Sequence, residues 1–169
     1  MRRALDALVD GAAVLAALAM IALLGTVLAS IASRQLGINI PGVDAYAGYL
    51  MAAAGFLSLA HTLRHGEHIR VSLLMDRLRG RWRRGLELWA LAAATLLASL
   101  LAFYSVRLVW QSHLFHDIST SNDATPLWIP QLAMAVGTVV FALVLLDETV
   151  LELRGRRDRA AGDGATHHE

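Results

Sequence analysis

The sequence predicts an all-α integral membrane protein with four spanning helices, and three observations lead to this fold class. Hydrophobic residues make up 56% of the 169-residue chain. Charged residues make up 17%, whereas about 25% is usual in soluble domains. The charges are also unevenly spread, because residues 11–33 and 45–60 contain none. Long uncharged apolar runs, of about 18 residues or more, are typical of membrane helices.

The first two spans are predicted at residues 11–33 and 43–63. A cleavable signal peptide has an apolar core of about 7–15 residues, and the first uncharged run is longer than that. We therefore expect this run to remain in the protein as a helix. Pro41 and Gly42 interrupt the chain before the second span, because both residue types favour turns over helix interiors.

The last two spans are predicted at residues 86–110 and 129–153. Pro126 and Pro130 flank the start of the fourth span, where the N–H group that proline lacks has no helical partner. Each span has roughly 20 residues or more, enough to cross ~30 Å of hydrocarbon. The polar, glycine-rich tail at 155–169 is predicted to be disordered. The whole chain is predicted to form a single membrane domain.

The distribution of arginine predicts the orientation in the membrane. All fifteen basic residues are arginine, and thirteen lie in the N-terminus, the connector 64–84 and the C-terminal tail. The other two connectors contain one, Arg34. Cytoplasmic loops carry an excess of basic residues, so both termini are predicted to face the cytoplasm. Trp110 and Trp128 then mark the outer ends of the last two spans, at the interface that indoles favour.

The middle connector contains seven arginines between residues 64 and 84. Arginines can bind nucleic-acid phosphates, but here the positive-inside rule already requires them between two spans. An amphipathic helix at 67–80 explains the pattern better, because apolar and basic residues fall on different faces. Its apolar face comprises Val71, Leu74, Met75 and Leu78. We predict that this helix lies among the lipid headgroups and that the chain does not bind nucleic acid.

Three histidines follow one another at helical spacing near the end of the second span: His61, His65 and His68. A bis-histidine haem needs ligands on facing helices at matching depth. His113 and His116 are predicted at the opposite membrane face, so they do not match. The absence of cysteine excludes iron–sulfur clusters and thiolate zinc sites. We predict no catalytic residue, metal or cofactor; the alternative is a haem- or quinone-linked membrane anchor subunit of a respiratory enzyme.

The middles of the four spans contain no ionisable residue. A further alternative is a small transporter that works by itself. Such a transporter normally places ionisable residues along its pathway, so the pattern disfavours this alternative. Small residues line one face of the second span at Gly48, Ala52 and Gly55, and a similar face of the fourth at Ala133 and Gly137. Small residues let helices approach closely. Internal packing and docking against a partner membrane protein both remain open for these faces.

Arg107 lies near the outer end of the third span, where a charge needs an acidic neighbour or water. Three aspartates are predicted near the same membrane face: Asp44, Asp117 and Asp123. We therefore predict an ion pair or a network that includes Arg107 and organises the outer loops.

The order and spacing of several motifs resemble the small membrane subunit of tripartite ATP-independent periplasmic (TRAP) transporters, the DctQ type. The resemblance runs from about residue 8 to residue 153. Its most specific parts are Ser33-Arg34, the stretch 41–49, and RHGEHIRVSLLMDRL at 64–78; ATPLWIP at 124–130 is similar to the family's approach to the last span. The chain departs from the family at two places. Around Asp44, many members have a tryptophan followed by paired glutamates, and at the position of Ser72 many members have an aspartate.

The resemblance implies a non-catalytic subunit of the bacterial inner membrane. It would scaffold a large membrane subunit and help dock a periplasmic substrate-binding protein, for sodium-coupled uptake of an organic acid. Glu67 and His68 would cap the interfacial helix or bridge to a neighbouring chain. The residues expected at interfaces with partners or lipids are Arg34, Asp44, Gly48, Ala52, Gly55, Glu67, His68, Arg70, Arg77 and Arg79.

Overall fold

A computed structural model of this protein describes residues 2–38, 40–64, 81–121 and 123–153, and four long helices make up the regular structure of these residues. Helix α1 comprises Arg2–Gln35, α2 Val43–Arg64, α3 Arg81–Leu114 and α4 Trp128–Leu153. All four are long and apolar enough to span a membrane, and the described residues form no strand beyond an isolated bridge. The predicted all-α fold class with four spanning helices is therefore confirmed.

The predicted interfacial helix at 67–80 and the predicted disordered tail at 155–169 lie outside the described residues. So do five of the residues expected at interfaces: Glu67, His68, Arg70, Arg77 and Arg79. These expectations stay predictions.

The helices lie side by side in the order α1, α2, α4, α3. Helix α2 packs extensively against α1 and against α4, whereas α3 packs extensively against α4. Helix α1 also touches α4, where Val9 clusters with Val140 and Val144. The described part of the chain is therefore mostly a layer of side-by-side helices, and not a closed bundle around a central core. We call the end that carries the loops 36–42 and 115–127 the loop end. The opposite end, which carries Asp6, Arg64 and Leu153, is the terminal end.

Helix α1 contacts its neighbour through a narrow line of small residues. Val9, Ala12, Ala16 and Ala19 are buried, and their spacing of three and four residues puts them on one face. Ala12 and Ala16 cluster with Leu57 of α2. Alanine keeps the two backbones close, which strengthens dispersion contacts in a membrane, where lipid tails compete equally for apolar surface. The remaining faces of α1 are exposed and apolar, as expected for a lipid-facing edge helix.

Gly137 marks the point where α4 crosses α2. A Cβ atom added there would lie 3.0 Å from the Leu57 backbone nitrogen and would collide with the Phe56 carbonyl group. Ala60 and Val144 pack together further towards the terminal end, so α2 and α4 run parallel. From the sequence, Gly137 could serve either internal packing or contact with a partner protein. In the structure it packs against α2, so it serves internal packing.

Helices α3 and α4 join through small apolar residues and a pair of threonines. Ala98 and Ala102 of α3 cluster with Ala142 and Leu145 of α4. The hydroxyl groups of Thr95 and Thr149 lie 2.8 Å apart. Interhelical hydrogen bonds of this kind contribute about 0.6 kcal/mol on average in membranes, so the pair adds specificity more than stability.

Candidate interface at the loop end

The turn after α1 sets the position of the loop 36–42. Gly37 has a φ of +68°, and the N–H group of Ile38 donates to the carbonyl of Ser33 at 2.9 Å. This hydrogen bond and the left-handed glycine form a Schellman motif, which ends the helix and reverses the chain. Arg34 is thereby held in the last turn of α1, at the surface of the loop end.

Gly42 begins α2 and also touches the second loop. Its carbonyl accepts hydrogen bonds from the N–H groups of Ala45 and Tyr46, at 3.0 and 3.1 Å. Its φ is +83°, and a Cβ atom added to it would lie 2.7 Å from the Cβ atom of Asp123. Glycine is therefore required here both by the backbone conformation and by the close approach of the loop 115–127.

Arg34 and Asp44 form an ion pair between the last turn of α1 and the first turn of α2. The Nη2 atom of Arg34 lies 3.3 Å from Oδ2 of Asp44, and the Ser30 hydroxyl donates to Oδ1 at 3.2 Å. The two side chains are 73% and 79% exposed. An arginine at a helix C-terminus and an aspartate at a helix N-terminus both complement the helix dipoles. The exposure leaves both charges accessible to a partner.

A polar crevice of about 410 Å³ opens beside this ion pair. Its walls come from the end of α1, the loop 36–42 and the start of α2, and Ser121 contributes from the second loop. The crevice therefore lies where both loops meet. The exposed apolar residues Ile38 and Ile40 line it on the first loop.

Two tyrosines of α2 hold the loop 115–127 against the helix. The Tyr49 hydroxyl lies 2.9 Å from Oγ of Ser119 and 3.2 Å from Oδ2 of Asp123. The hydroxyl groups of Tyr46 and Thr125 lie 3.2 Å apart. The two tyrosine rings meet edge to face, with centroids 6.1 Å apart. These contacts fix the second loop relative to the crevice.

The same hydroxyl groups favour the charged form of Asp123. The hydroxyl of Thr125 contributes most, followed by those of Ser119 and Tyr49, and together they hold the pKa of the Asp123 carboxyl below its ordinary value of 3.8. Partial burial opposes this effect. Asp123 is therefore ionised at neutral pH and accepts hydrogen bonds as a carboxylate.

The predicted network around Arg107 stays a prediction. Asp44 pairs with Arg34, and Asp123 bonds to Tyr49. Asp117 is exposed, and its carbonyl accepts the N–H group of Leu127 at 3.0 Å. Arg107 is exposed on α3 and forms no ion pair within the described part of the chain.

The small residues of α2 that the sequence singled out lie on an open face. Gly48, Ala52 and Gly55 are all exposed, and a Cβ atom added to either glycine would meet nothing within 4 Å. The opposite side of α2 provides the buried residues Ala54, Leu57 and Ala60. Among the described residues, internal packing therefore does not use the face of Gly48, Ala52 and Gly55, which is available to a partner helix.

The terminal end contains an ion pair that sequence reasoning missed. Arg64, at the end of α2, pairs with Asp6, near the start of α1. The Arg64 side chain is 22% exposed, and its Nη1 atom is buried without a hydrogen-bond partner. The sequence offered one signal, an aspartate that follows the arginines at the N-terminus and lies at the same predicted membrane face as Arg64.

The tyrosines at the loop end were missed as well. Tyr46 and Tyr49 are three residues apart in the first turns of α2, so they share a face. Their partners lie seventy or more positions away along the chain, and no sequence spacing connects such distant residues.

Two of the described histidines, His61 and His113, lie at opposite ends of the molecule. His61 is in the last turn of α2, at the terminal end, and His113 is in the last turn of α3, at the loop end. The His113 ring meets Trp128 at a centroid distance of 5.4 Å. These two histidines therefore cannot ligate a single haem, whose axial ligands must lie at the same depth.

Comparison with protein families gives one match that covers most of the chain. The family model described as "Tripartite ATP-independent periplasmic transporters, DctQ component" matches residues 23–155. This range contains the ion pair of Arg34 and Asp44, the open face of α2 and both loops of the loop end. A search of curated proteins found no match to this chain.

Proposed function

The chain belongs to the DctQ component family of tripartite ATP-independent periplasmic transporters, and we propose that it is the scaffold against which the large membrane subunit works. It is a small permease subunit and a multi-pass membrane protein. In the proposal it is not itself catalytic, it lies in the bacterial inner membrane, and both termini face the cytoplasm. The complete transporter takes up an organic acid together with sodium ions.

The observation that carries this proposal is the arrangement of the helices mostly side by side, with only a smaller contact between α1 and α4. Each edge helix packs extensively along one side, and large apolar residues of α1 and α3 are exposed. A layer of this shape offers wide apolar faces and does not enclose a pathway among the described helices. The absence of ionisable residues from the middles of the spans points the same way. Both features suit a subunit that supports another membrane protein.

The face of α2 formed by Gly48, Ala52 and Gly55 is the proposed contact with the large subunit. It is exposed and free of bulky side chains, so a second helix can approach its backbone closely. Arg70, Arg77 and Arg79 are proposed to contact lipid headgroups or the large subunit at the cytoplasmic side. Glu67 and His68 are proposed to cap the interfacial helix or to bridge to a neighbouring chain.

The loop end is the proposed docking surface for the periplasmic substrate-binding protein. Exposed charges at the rim of an interface mainly set the association rate and its dependence on salt. Arg34 and Asp44 are charges of this kind, and the crevice beside them is lined by both helix ends and both loops. The contacts of Tyr46 and Tyr49 keep this surface in one shape before a partner arrives.

Co-purification followed by reconstitution tests the proposal. The full chain is tagged, native membranes are extracted in a mild detergent, and all recovered proteins are identified. We expect a large polytopic partner in about equal amount. Uptake into liposomes should need both membrane proteins, the binding protein and a sodium gradient. Transport by this chain alone would contradict the proposal, as would a red preparation or a soluble dehydrogenase as its partner.

A matched pair of variants links the result to the open face of α2. Gly55→Leu places a bulky side chain on that face, and we expect lower recovery of the large subunit. Leu97→Ala, on an exposed part of α3, is the control and should leave recovery unchanged. Equal recovery with both variants would show that the large subunit does not use the α2 face.

A further inference from the structure

An apolar groove of about 620 Å³ runs along α3 and α4, away from the crevice at the loop end, and Leu8 of α1 contributes to its lining. Val106 and Trp110 line it from α3, and Trp128, Val136 and Leu143 line it from α4. The positions from 128 to 143 span about 22 Å along a helix. This length exceeds one leaflet of a bilayer, which is about half of the ~30 Å hydrocarbon core.

Arg107 lies on the flank of this groove. Successive residues of a helix are about 100° apart, so Arg107 is next to the face that carries Val106 and Trp110. It lies seven residues before Leu114, the last residue of α3, which is about 10 Å from the helix end. Arg107 is exposed and forms no ion pair among the residues that the structure describes. A guanidinium group near the outer end of a membrane span needs an anionic partner or water.

We propose that the groove binds one acyl chain of a glycerophospholipid and that Arg107 binds the phosphate of the same lipid. The lipid comes from the leaflet at the loop end. Trp110 and Trp128 sit at the mouth of the groove, and indoles favour the level of the headgroups. Arg107 is three residues from Trp110, so its long side chain reaches that level by snorkelling. This inference does not depend on the role of the chain in transport.

Charge complementarity favours a lipid over a partner helix as the occupant. A phospholipid supplies an apolar chain for the groove and a negative charge for the arginine beside it. An apolar helix in the groove would cover the flank and separate Arg107 from water and phosphate. It would supply no anionic group to Arg107 in their place. The lining of the groove is almost entirely apolar, so the polar contact must come from its flank.

Lipid retention in native mass spectrometry tests the proposal on the full chain, in the complex in which it is extracted. Arg107→Gln removes the charge, and we expect about fivefold weaker retention of a phospholipid. Val136→Phe fills the groove from a position that is 47% exposed, so it should displace the lipid without disturbing the core. Both variants must elute as monodisperse proteins.

Two control variants separate this site from bulk lipid. Arg34→Gln removes an arginine of the loop end that already has an acidic partner. Leu97→Phe enlarges a residue of α3 that is 66% exposed and does not line the groove. Both should retain the phospholipid as the native chain does. Unchanged retention in folded Arg107→Gln and Val136→Phe proteins would overturn the proposal.

A phospholipid with a photoreactive acyl chain provides the second measurement. In the native chain, photolysis should give adducts on Leu132 and Val136, which line the groove, and on Leu97, which is exposed on α3 outside the groove. Arg107→Gln should reduce the groove adducts and leave the Leu97 adduct unchanged. Adducts on Leu97 without any in the groove would mean that another occupant, such as a partner helix, fills it, and this would overturn the proposal.

Discussion

The Nη2 atom of Arg34 lies 3.3 Å from Oδ2 of Asp44, and this contact joins the last turn of α1 to the first turn of α2. Both side chains are largely exposed, and an exposed ion pair contributes about 0–1 kcal/mol. The pair therefore adds little to stability. Its more important property is that it presents two opposite charges at one end of the molecule.

We expect Arg34→Gln and Asp44→Asn to change the free energy of unfolding by less than about 1 kcal/mol. Each change should slow association with the substrate-binding protein and reduce the salt dependence of that rate. Thermal unfolding in detergent and stopped-flow association measure the two effects. The exchange of both charges, Arg34→Asp with Asp44→Arg, keeps an ion pair but opposes both helix dipoles, so it should cost some stability and should not restore docking. Native docking by that double variant would contradict the proposed role of this surface.

Gly42→Ala should destabilise the protein more than Gly37→Ala. Both glycines have positive φ, which costs about 1–2 kcal/mol for an alanine. Gly42 also lies against Asp123, whereas a Cβ atom on Gly37 would meet nothing within 4 Å. The two melting temperatures, measured in the same detergent, give the comparison. Equal losses would mean that the loop 115–127 moves aside freely.

Gly137→Ala should lower the melting temperature strongly, because the added methyl group would meet the backbone of α2 at Phe56 and Leu57. Overpacking of this kind typically costs about 1–3 kcal/mol. Gly55→Ala is the matched control, since its methyl group would point into open space. In that variant the slightly higher helix propensity of alanine should leave stability unchanged or improved. A similar loss in both variants would argue against the α2–α4 crossing.

The contribution of Asp123 to stability should disappear in acid. A carboxyl with a lowered pKa in the folded protein stabilises it above its unfolded pKa, and this stabilisation is lost as the pH falls through the folded value. The melting temperature should therefore differ between the native chain and Asp123→Asn at neutral pH, and the difference should shrink below about pH 4. Asp117→Asn, on the same loop, controls for the removal of a loop carboxylate. A difference in melting temperature that grows as the pH falls would contradict a lowered pKa of the Asp123 carboxyl.

Asp6→Asn should destabilise the terminal end. Arg64 is mostly buried, so the loss of its partner leaves a guanidinium group without a counter-ion. The half-exposed position of Asp6 limits the loss, which we expect at about 1–2 kcal/mol. Asp10→Asn, an exposed position of the same helix, is the control. Unfolding of both variants in detergent, at low and at high salt, measures the loss of stability. The loss in Asp6→Asn should depend less on salt than the loss in Arg34→Gln.

The helices could be predicted from the sequence, but their arrangement could not. Apolar runs of membrane length identify the four spans directly. Lipid-facing and protein-facing residues are equally apolar, however, so no periodicity showed that Ala12 and Ala16 face α2 while Leu15 and Leu18 face outwards. Small residues were a better signal, yet they were ambiguous. Gly137 lies at a crossing, and Gly55 lies on an open face.

The loop end was predicted in part. Arg34 and Asp44 were both singled out from the sequence, and their ten-residue separation across a single turn makes their contact understandable. Asp123 was singled out as well, but its hydrogen bond with Tyr49 was not predicted. Long-range contacts of this kind depend on which helices are neighbours, and hydropathy does not contain that information.

The order α1, α2, α4, α3 also has a consequence for biosynthesis. Each outer pair of the layer consists of consecutive helices, so the described chain is two antiparallel hairpins joined mainly by the contact between α2 and α4. Chains emerge from the ribosome N-terminus first, so the α1–α2 hairpin can assemble before α4 is synthesised. The crossing at Gly137 is then the step that unites the hairpins. Substitutions there should impair the assembly of the newly made chain, even where each hairpin inserts into the membrane normally.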